Sequence, residues 1–327
     1  MPRPSDSLAA VRPGPLSGTG PSQFGDRAWG AGISVLGGCI LVTAGLILAE
    51  LGGQSLLAFH KLGLIHFLAG SDWDPVQDKF GALPFIYGTL VTSGIALLVA
   101  VPVSVGLALF LSEMGPKALR RPVAFGIEVL AAIPSVIFGL WGLFVLVPWL
   151  RDAVEPALQA VLGFLPFFDG PPIGLGYLAA GLILAIMILP TVASVTIEVL
   201  KTVPLPLKEG ALALGATRWE AIRMTVLPYA RPGIVGAALL GLGRALGETM
   251  AVTMVIGNAP EIHASLFAPG YSLPAVIANE FAEATGNVHV SALAALGLVL
   301  FGLTVLLNAL AHLLIRAVSQ GAPRGAP

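Results

Sequence analysis

Of the 327 residues, 56% are hydrophobic and 11% charged, whereas soluble domains carry about a quarter charged residues. That balance excludes a soluble globular enzyme and implies a chain that crosses the membrane several times. The near-zero net charge, dispersed basic residues and single cysteine (Cys39, inside an apolar run) exclude a basic nucleic-acid-binding stripe and an intrachain disulfide.

In chain order, residues 1–28 are rich in Pro, Gly and Ser and read as a disordered tail. No apolar core follows Met1 closely enough for a cleavable signal peptide. Crossing the hydrocarbon core takes about 20 apolar residues, and six stretches are long enough. They run from about Trp29 to Leu51, Ile86 to Leu111, Pro122 to Leu150, Gly174 to Leu200, Pro232 to Ile256 and Ser291 to Arg316. The expected fold is an all-α polytopic membrane protein with six transmembrane helices. Residues 29–84 comprise the first helix and a long external loop, 85–317 the main transmembrane domain, and 318–327 a second tail. Pro102, Pro134 and Pro190 fall inside spans and should kink them, because each removes a backbone donor.

Charge sets the orientation. With the N-terminus inside, the cytoplasmic segments hold Lys117, Arg120, Arg121, Lys201, Lys208, Arg218, Arg223 and Arg231, together with the basic residues of both tails. The other side has only Lys61, Lys79 and Arg151 against an excess of Asp and Glu. The positive-inside rule then places both termini in the cytoplasm. Of the external loops, 52–84 opens with an apolar pattern (Leu56, Leu57, Phe59, Leu62, Leu64, Ile65, Phe67) that suits a helix on the lipid surface or a docking face. Loop 258–290 holds apolar pieces that suit a re-entrant or interfacial helix.

Two polar features stand out. The first is the loop Glu209–Pro228 between the fourth and fifth spans, an Arg-dotted stretch expected to form a helix–turn–helix facing the cytoplasm. The second lies inside the fifth span, where Arg244 and Glu248 are four residues apart and should share one helix face. A charge at membrane depth costs roughly 2.5–3.5 kcal/mol even on insertion scales, so both must face protein or water. Thr249 and Thr253 add hydroxyls on a neighbouring strip, and Gly241, Gly243 and Gly247 remove bulk for close helix approach. Arg244 can lower the barrier for an oxyanion, since a guanidinium fork matches tetrahedral oxyanions, with Glu248 holding it in place. A mutual ion pair that only locks helix packing is the structural alternative. Glu50, Glu128 and Glu198 read as interface or helix-end residues, and the histidines show no metal-ligand spacing.

The chain carries no machinery for ATP hydrolysis. No Gly-x-x-x-x-Gly-Lys-Ser/Thr loop exists, and Lys201-Thr202 follows Leu200 rather than Gly. Energy must come through a partner, and the Glu209–Pro228 loop is where one could push.

That loop resembles the coupling motif of ABC-importer permeases: Glu-Ala-Ala, Gly after three residues, then Ile-x-Leu-Pro after nine. Glu209, Ala211, Gly215, Leu227 and Pro228 match, while Gly210 replaces Ala and Thr225 replaces Ile. Further stretches resemble the C-type permease subunits of phosphate-specific ABC importers: residues 80–92, 129–135, 139–144, 185–190, 241–252 and 279–283, across roughly 71–314.

The resemblance implies the ABC importer type I permease fold and a permease subunit translocating inorganic phosphate across the bacterial inner membrane. It implies a homologous A-type permease subunit, a cytoplasmic ATPase dimer that binds ATP and Mg, a periplasmic phosphate-binding protein and, as a further option, a phosphate-signalling sensor. Membrane lipid surrounds the chain, no nucleic acid is expected, and this chain itself needs no cofactor or metal. Arg244 and Glu248, with Thr249 and Thr253, are then the translocation path. Glu209, Gly210, Ala211, Gly215, Thr225, Leu227 and Pro228 make the ATPase contact. Alternatives are a permease for sulfate or molybdate, or an ion-gradient-driven transporter using Arg244 and Glu248 as a proton relay.

Overall fold

The structure, a computed structural model, describes residues 23–320. Most of the two expected tails therefore lies outside the described residues. Helix begins already at Gln23 and runs on to Gln320, so 23–28 and 318–320 are helical rather than tail. The chain divides into two compact units, Met1–Glu50 and Leu51–Pro327. In the first, the helix presents Trp29, Ile33, Leu36, Ile40 and Leu41 to the outside.

Among the described residues, six helices are long and apolar enough to cross a membrane: Trp29–Leu62, Leu83–Met114, Ser135–Leu162, Tyr177–Lys201, Arg218–Leu246 and Asn287–Leu313. Their number matches the sequence reading, but several bounds do not. The first helix continues eleven residues beyond Leu51, absorbing the start of the expected 52–84 loop. Its last part belongs to the second unit and stops at Gly63, whose φ of +80° suits a residue without Cβ. A short helix, Leu64–Ala69, then turns Phe67 into the core while Leu64 and Ile65 stay exposed.

The third span also differs. The run Pro122–Leu150 is two helices, Lys117–Ala132 and the crossing helix Ser135–Leu162, separated at Ile133-Pro134. Pro134 breaks the helix rather than kinking it, because the residue before a proline is driven out of the α region, and Ile133 is extended. Glu128 therefore sits exposed on the preceding helix, not in the span. Pro102 and Pro190 lie inside continuous helices.

Helix is not the whole story. Trp73–Asp74 and Lys79–Phe80 form a two-stranded antiparallel hairpin within the 52–84 segment, with Trp73 opposite Phe80. The indole Nε1 of Trp73 donates to Glu280 Oε2 (2.9 Å), which also meets His289 Nε2 (3.0 Å). The hairpin is thereby tied to the helix Leu273–Glu280 and to the start of the sixth span. That helix, within the expected re-entrant loop, buries Leu273, Ala275 and Val276 alongside Phe67, Phe80 and Phe85. Burial pushes the Tyr271 phenol above its usual range, so it stays protonated while accepting from Asn279 Nδ2 (2.9 Å).

The second and fourth spans form the centre of the second unit, burying Ala96, Ala100, Tyr177, Ile183, Leu184 and Ile188. Small residues set these distances. A Cβ on Gly88 would lie 2.0 Å from the Tyr271 carbonyl oxygen, where the second span passes beneath the Gly270–Leu273 segment. Thr89 fixes the same crossing by accepting from the Leu273 amide (2.9 Å). Gly88→Ala must push backbone apart, and overpacking of this kind costs roughly 1–3 kcal/mol. We expect the purified protein to melt several degrees lower; an unchanged melting profile would show that the crossing yields freely.

Candidate translocation site and coupling loop

The fifth span does not continue to Ile256. It ends at Leu246, and a separate short helix, Met250–Val255, follows. The interruption falls at Gly247-Glu248-Thr249, with Thr249 at φ −108°, ψ −68°. Arg244 therefore occupies the last turn of the long helix, where the negative end of the helix dipole favours a cation. Glu248 lies beyond that end, and its Oε1 accepts from the Ala251 amide (3.4 Å) of the short helix. The expectation that Arg244 and Glu248 share a continuous helix face is thus corrected. Among the described residues, no ion pair joins them.

This disposition removes the basis for a packing lock through that pair. Arg244 is exposed on the surface of this chain, and Glu248 and Thr249 are half-buried. Of the glycines expected to permit close approach, only Gly241 meets a neighbour tightly: a Cβ there would stand 2.7 Å from Val192 Cγ2. Gly243 faces open space, and a Cβ on Gly247 would meet only the Gly243 carbonyl oxygen, at 3.7 Å.

The short helix is held from the other side by Gly139, near the start of the third span. A Cβ on Gly139 would come within 2.6 Å of Met254 Sδ and 3.0 Å of Ala251 Cα. Asn258, at φ +53°, closes the far end by donating from Nδ2 to the Thr253 carbonyl (3.0 Å). Neither residue was assigned a role from sequence. Gly139 lies in a stretch that carried the resemblance, but the helix it admits is distant in the chain.

Thr253 is the most informative of the four expected path residues. Its hydroxyl is buried and has no hydrogen-bond partner among the described residues, a state that costs about 1–3 kcal/mol. Thr253→Val replaces the hydroxyl by a methyl of the same shape. We expect the variant to be as stable as the parent or more so, and to import more slowly if the hydroxyl serves a passing solute. Thermal melting and initial uptake rate measured on one preparation separate these effects. Reduced stability would show that the hydroxyl has a structural partner.

The Glu209–Pro228 loop forms the expected helix–turn–helix. Helix Leu205–Ala213 ends in a turn at Gly215, whose φ is +92°, and the chain re-enters helix at Arg218. Thr217 and Glu220 make a reciprocal capping box: the Thr217 amide donates to Glu220 Oε2 (2.7 Å), and the Glu220 amide to Thr217 Oγ1 (3.3 Å). Glu209 and Gly210 are exposed, and Ala211 is half-buried. Thr225, where the motif has Ile, satisfies its hydroxyl on the Ala221 carbonyl (2.7 Å). Leu227 and Pro228 are half-buried in the helix that becomes the fifth span. Val203, Ile222 and Val226 anchor the loop by packing with Leu109 and Leu200 at the ends of the second and fourth spans.

A family model described as "Binding-protein-dependent transport system inner membrane component" matches residues 100–320. The chain is 50% identical over 283 residues to the phosphate transport system permease protein PstC of Mesorhizobium japonicum, covering 85% of this chain and 86% of the relative. The chain belongs to this permease family. The PstC of Haemophilus influenzae is 52% identical over 258 residues, or 78% of this chain and 82% of that one. Among solved structures, a bacterial alginate ABC transporter in complex with an alginate pentasaccharide-bound periplasmic protein superposes with a TM-score of 0.60. It is 19% identical, over 90% of this chain and 96% of the other, which establishes the shared fold. The inward-facing MetNI methionine ABC transporter gives a TM-score of 0.53 at 20% identity over 72% of this chain and 94% of the other. This permease fold accounts for the six spans and for the exposed helix Leu205–Ala213 between the fourth and fifth.

Proposed function

We propose that this chain is the C-type permease subunit of an importer that moves inorganic phosphate across the inner membrane, powered by ATP hydrolysed in another chain. The observation that carries the reading is half-identity to PstC permeases along more than four-fifths of the sequence. The geometry supplies a mechanism to match. The helix Leu205–Ala213 offers an exposed handle for a cytoplasmic ATPase dimer that binds ATP and Mg; Gly215 turns the chain after it, and the Thr217 capping box starts the next helix. Motion delivered there passes through Ile222 and Val226 to the second and fourth spans. It passes directly along the helix Arg218–Leu246 to Arg244.

Arg244 is exposed on this chain rather than paired within it, so a second permease subunit of the A-type completes a path between the two. The guanidinium gives passing phosphate a transient bidentate partner. Glu248 and Thr249 lie at the interruption beside it, and Thr253 one turn into the short helix. A periplasmic phosphate-binding protein delivers the anion to the external face, where the Trp73–Phe80 hairpin and the 258–272 loop lie. Both termini face the cytoplasm, following the distribution of Lys and Arg. A phosphate-signalling sensor is a further partner for the cytoplasmic face.

Reconstituting this chain with its A-type partner, ATPase and binding protein in proteoliposomes tests the reading. Uptake of labelled phosphate should require both hydrolysable ATP and the binding protein, and excess sulfate or molybdate should leave it unchanged. Uptake driven by a proton gradient without the ATPase, or preferential uptake of sulfate or molybdate, would overturn it.

A further inference from the structure

A cavity of about 370 Å³ opens where the second span ends, between the helix Lys117–Ala132, the end of the fourth span and the start of the coupling helix Leu205–Ala213. Its lining holds Arg120, Lys201 and Lys208 against one carboxylate, Glu113, a formal charge of +2 that Glu198, beside Lys201, brings to +1. Lys208 and Glu113 pair with each other and are largely buried, and Lys201 Nζ meets Glu198 Oε1 (2.7 Å). Arg120 spends only its Nε, on the Gly115 carbonyl (3.2 Å), and its terminal guanidinium nitrogens have no other partner among the described residues. Ser112 also lines the wall, and its hydroxyl is buried and makes no hydrogen bond among the described residues. An unspent guanidinium and an unspent hydroxyl on residues lining one cavity form a donor set that lacks its acceptor.

The remaining wall is apolar. Leu111, Ala124, Ile197 and Leu200 line it, with Leu111 and Leu200 themselves packed into the bundle at the ends of the second and fourth spans. A free anion has no use for that wall, whereas a phospholipid needs both halves. Basic pockets between transmembrane helices on the cytoplasmic side suit anionic headgroups. We infer that this cavity binds the phosphate of an anionic phospholipid. Arg120 and Ser112 donate to the phosphoryl oxygens, and Lys201 supplies charge at the rim. The bound lipid braces Lys208, and through it the coupling helix, against the membrane surface. The inference rests on the cytoplasmic placement of this face proposed above.

Native mass spectrometry of the whole transporter complex, titrated with phosphatidylglycerol or phosphatidylcholine, tests it. One interfacial Lys or Arg contributes enough to expect about a fivefold preference for phosphatidylglycerol. Arg120→Gln should abolish the preference, whereas Arg121→Gln, exposed on the same helix and outside the cavity, should keep it. Should Arg120→Gln fail to assemble, Lys201→Gln decides instead by reducing the preference. Equal retention of the two lipids, an undiminished preference in Arg120→Gln, or displacement of phosphatidylglycerol by equimolar inorganic phosphate would overturn the site. Loss of the preference in a parent complex that still imports phosphate refutes the lipid site alone. A parent complex that binds phosphatidylglycerol selectively but imports no phosphate refutes the functional reading instead.

Discussion

Glu209→Arg is expected to abolish ATP-driven phosphate import while leaving the permease folded and inserted. The side chain stands exposed on the helix Leu205–Ala213 and makes no hydrogen bond or ion pair among the described residues, so reversing its charge breaks nothing within the chain. Any effect must arise where the helix meets another protein. Placing like charges at a docking contact costs several kcal/mol, which weakens engagement roughly a hundredfold. Uptake in the reconstituted system should fall to the background seen without ATP. ATPase activity should lose its stimulation by the loaded binding protein.

Gly210→Ala is the matched control. A Cβ there meets nothing within 4 Å, and Ala in a helix interior is favoured over Gly by about 1 kcal/mol. That variant should couple at least as well as the parent. Normal uptake by Glu209→Arg would mean that the ATPase grips elsewhere, with the exposed Leu212, Leu214 and Trp219 as the next surfaces to alter.

The sequence made the six spans legible because hydropathy reports burial in lipid directly, and the helix–turn–helix of Glu209–Pro228 legible because its turn and helix signals are local. The helix breaks were harder to see. No dip in hydropathy separates Pro122–Ala132 from Ser135–Leu150, and Pro134, the only local signal, is equally compatible with a kink. Between Leu246 and Met250 the cause is partly tertiary. Gly139 admits the short helix so closely that it packs as a separate piece, a contact between residues more than a hundred positions apart. The same distance hid the tie from Trp73 to Glu280 and His289, although 279–283 had already attracted notice by resemblance. The i, i+4 pairing of Arg244 and Glu248 failed for a related reason. The rule holds only while the helix does, and Gly247, the least favourable helix former apart from proline, sits between them.

Arg244→Gln is expected to reduce the maximal rate of phosphate import by at least about tenfold, since a hydrogen bond to a charged group contributes roughly 1.5–3 kcal/mol. Because Arg244 forms no ion pair among the described residues, its loss should barely move the melting temperature. This separates two roles that the sequence left open. Were the residue a packing lock, the variant would lose stability and assembly first, and import only as a consequence. As a partner for the solute, the variant assembles fully, keeps its ATPase stimulated by the binding protein, and fails at translocation. Arg244→Lys refines the test: a point charge without the planar fork keeps the electrostatic attraction and loses the bidentate fit. Its import rate should fall between those of the parent and Arg244→Gln. Glu248→Gln should be milder, because the amide oxygen can still accept from the Ala251 amide and cap the short helix. A fully assembled Arg244→Gln complex that imports at the parental rate would remove Arg244 from the path. The conduit would then have to be sought along surfaces of this chain that carry no guanidinium.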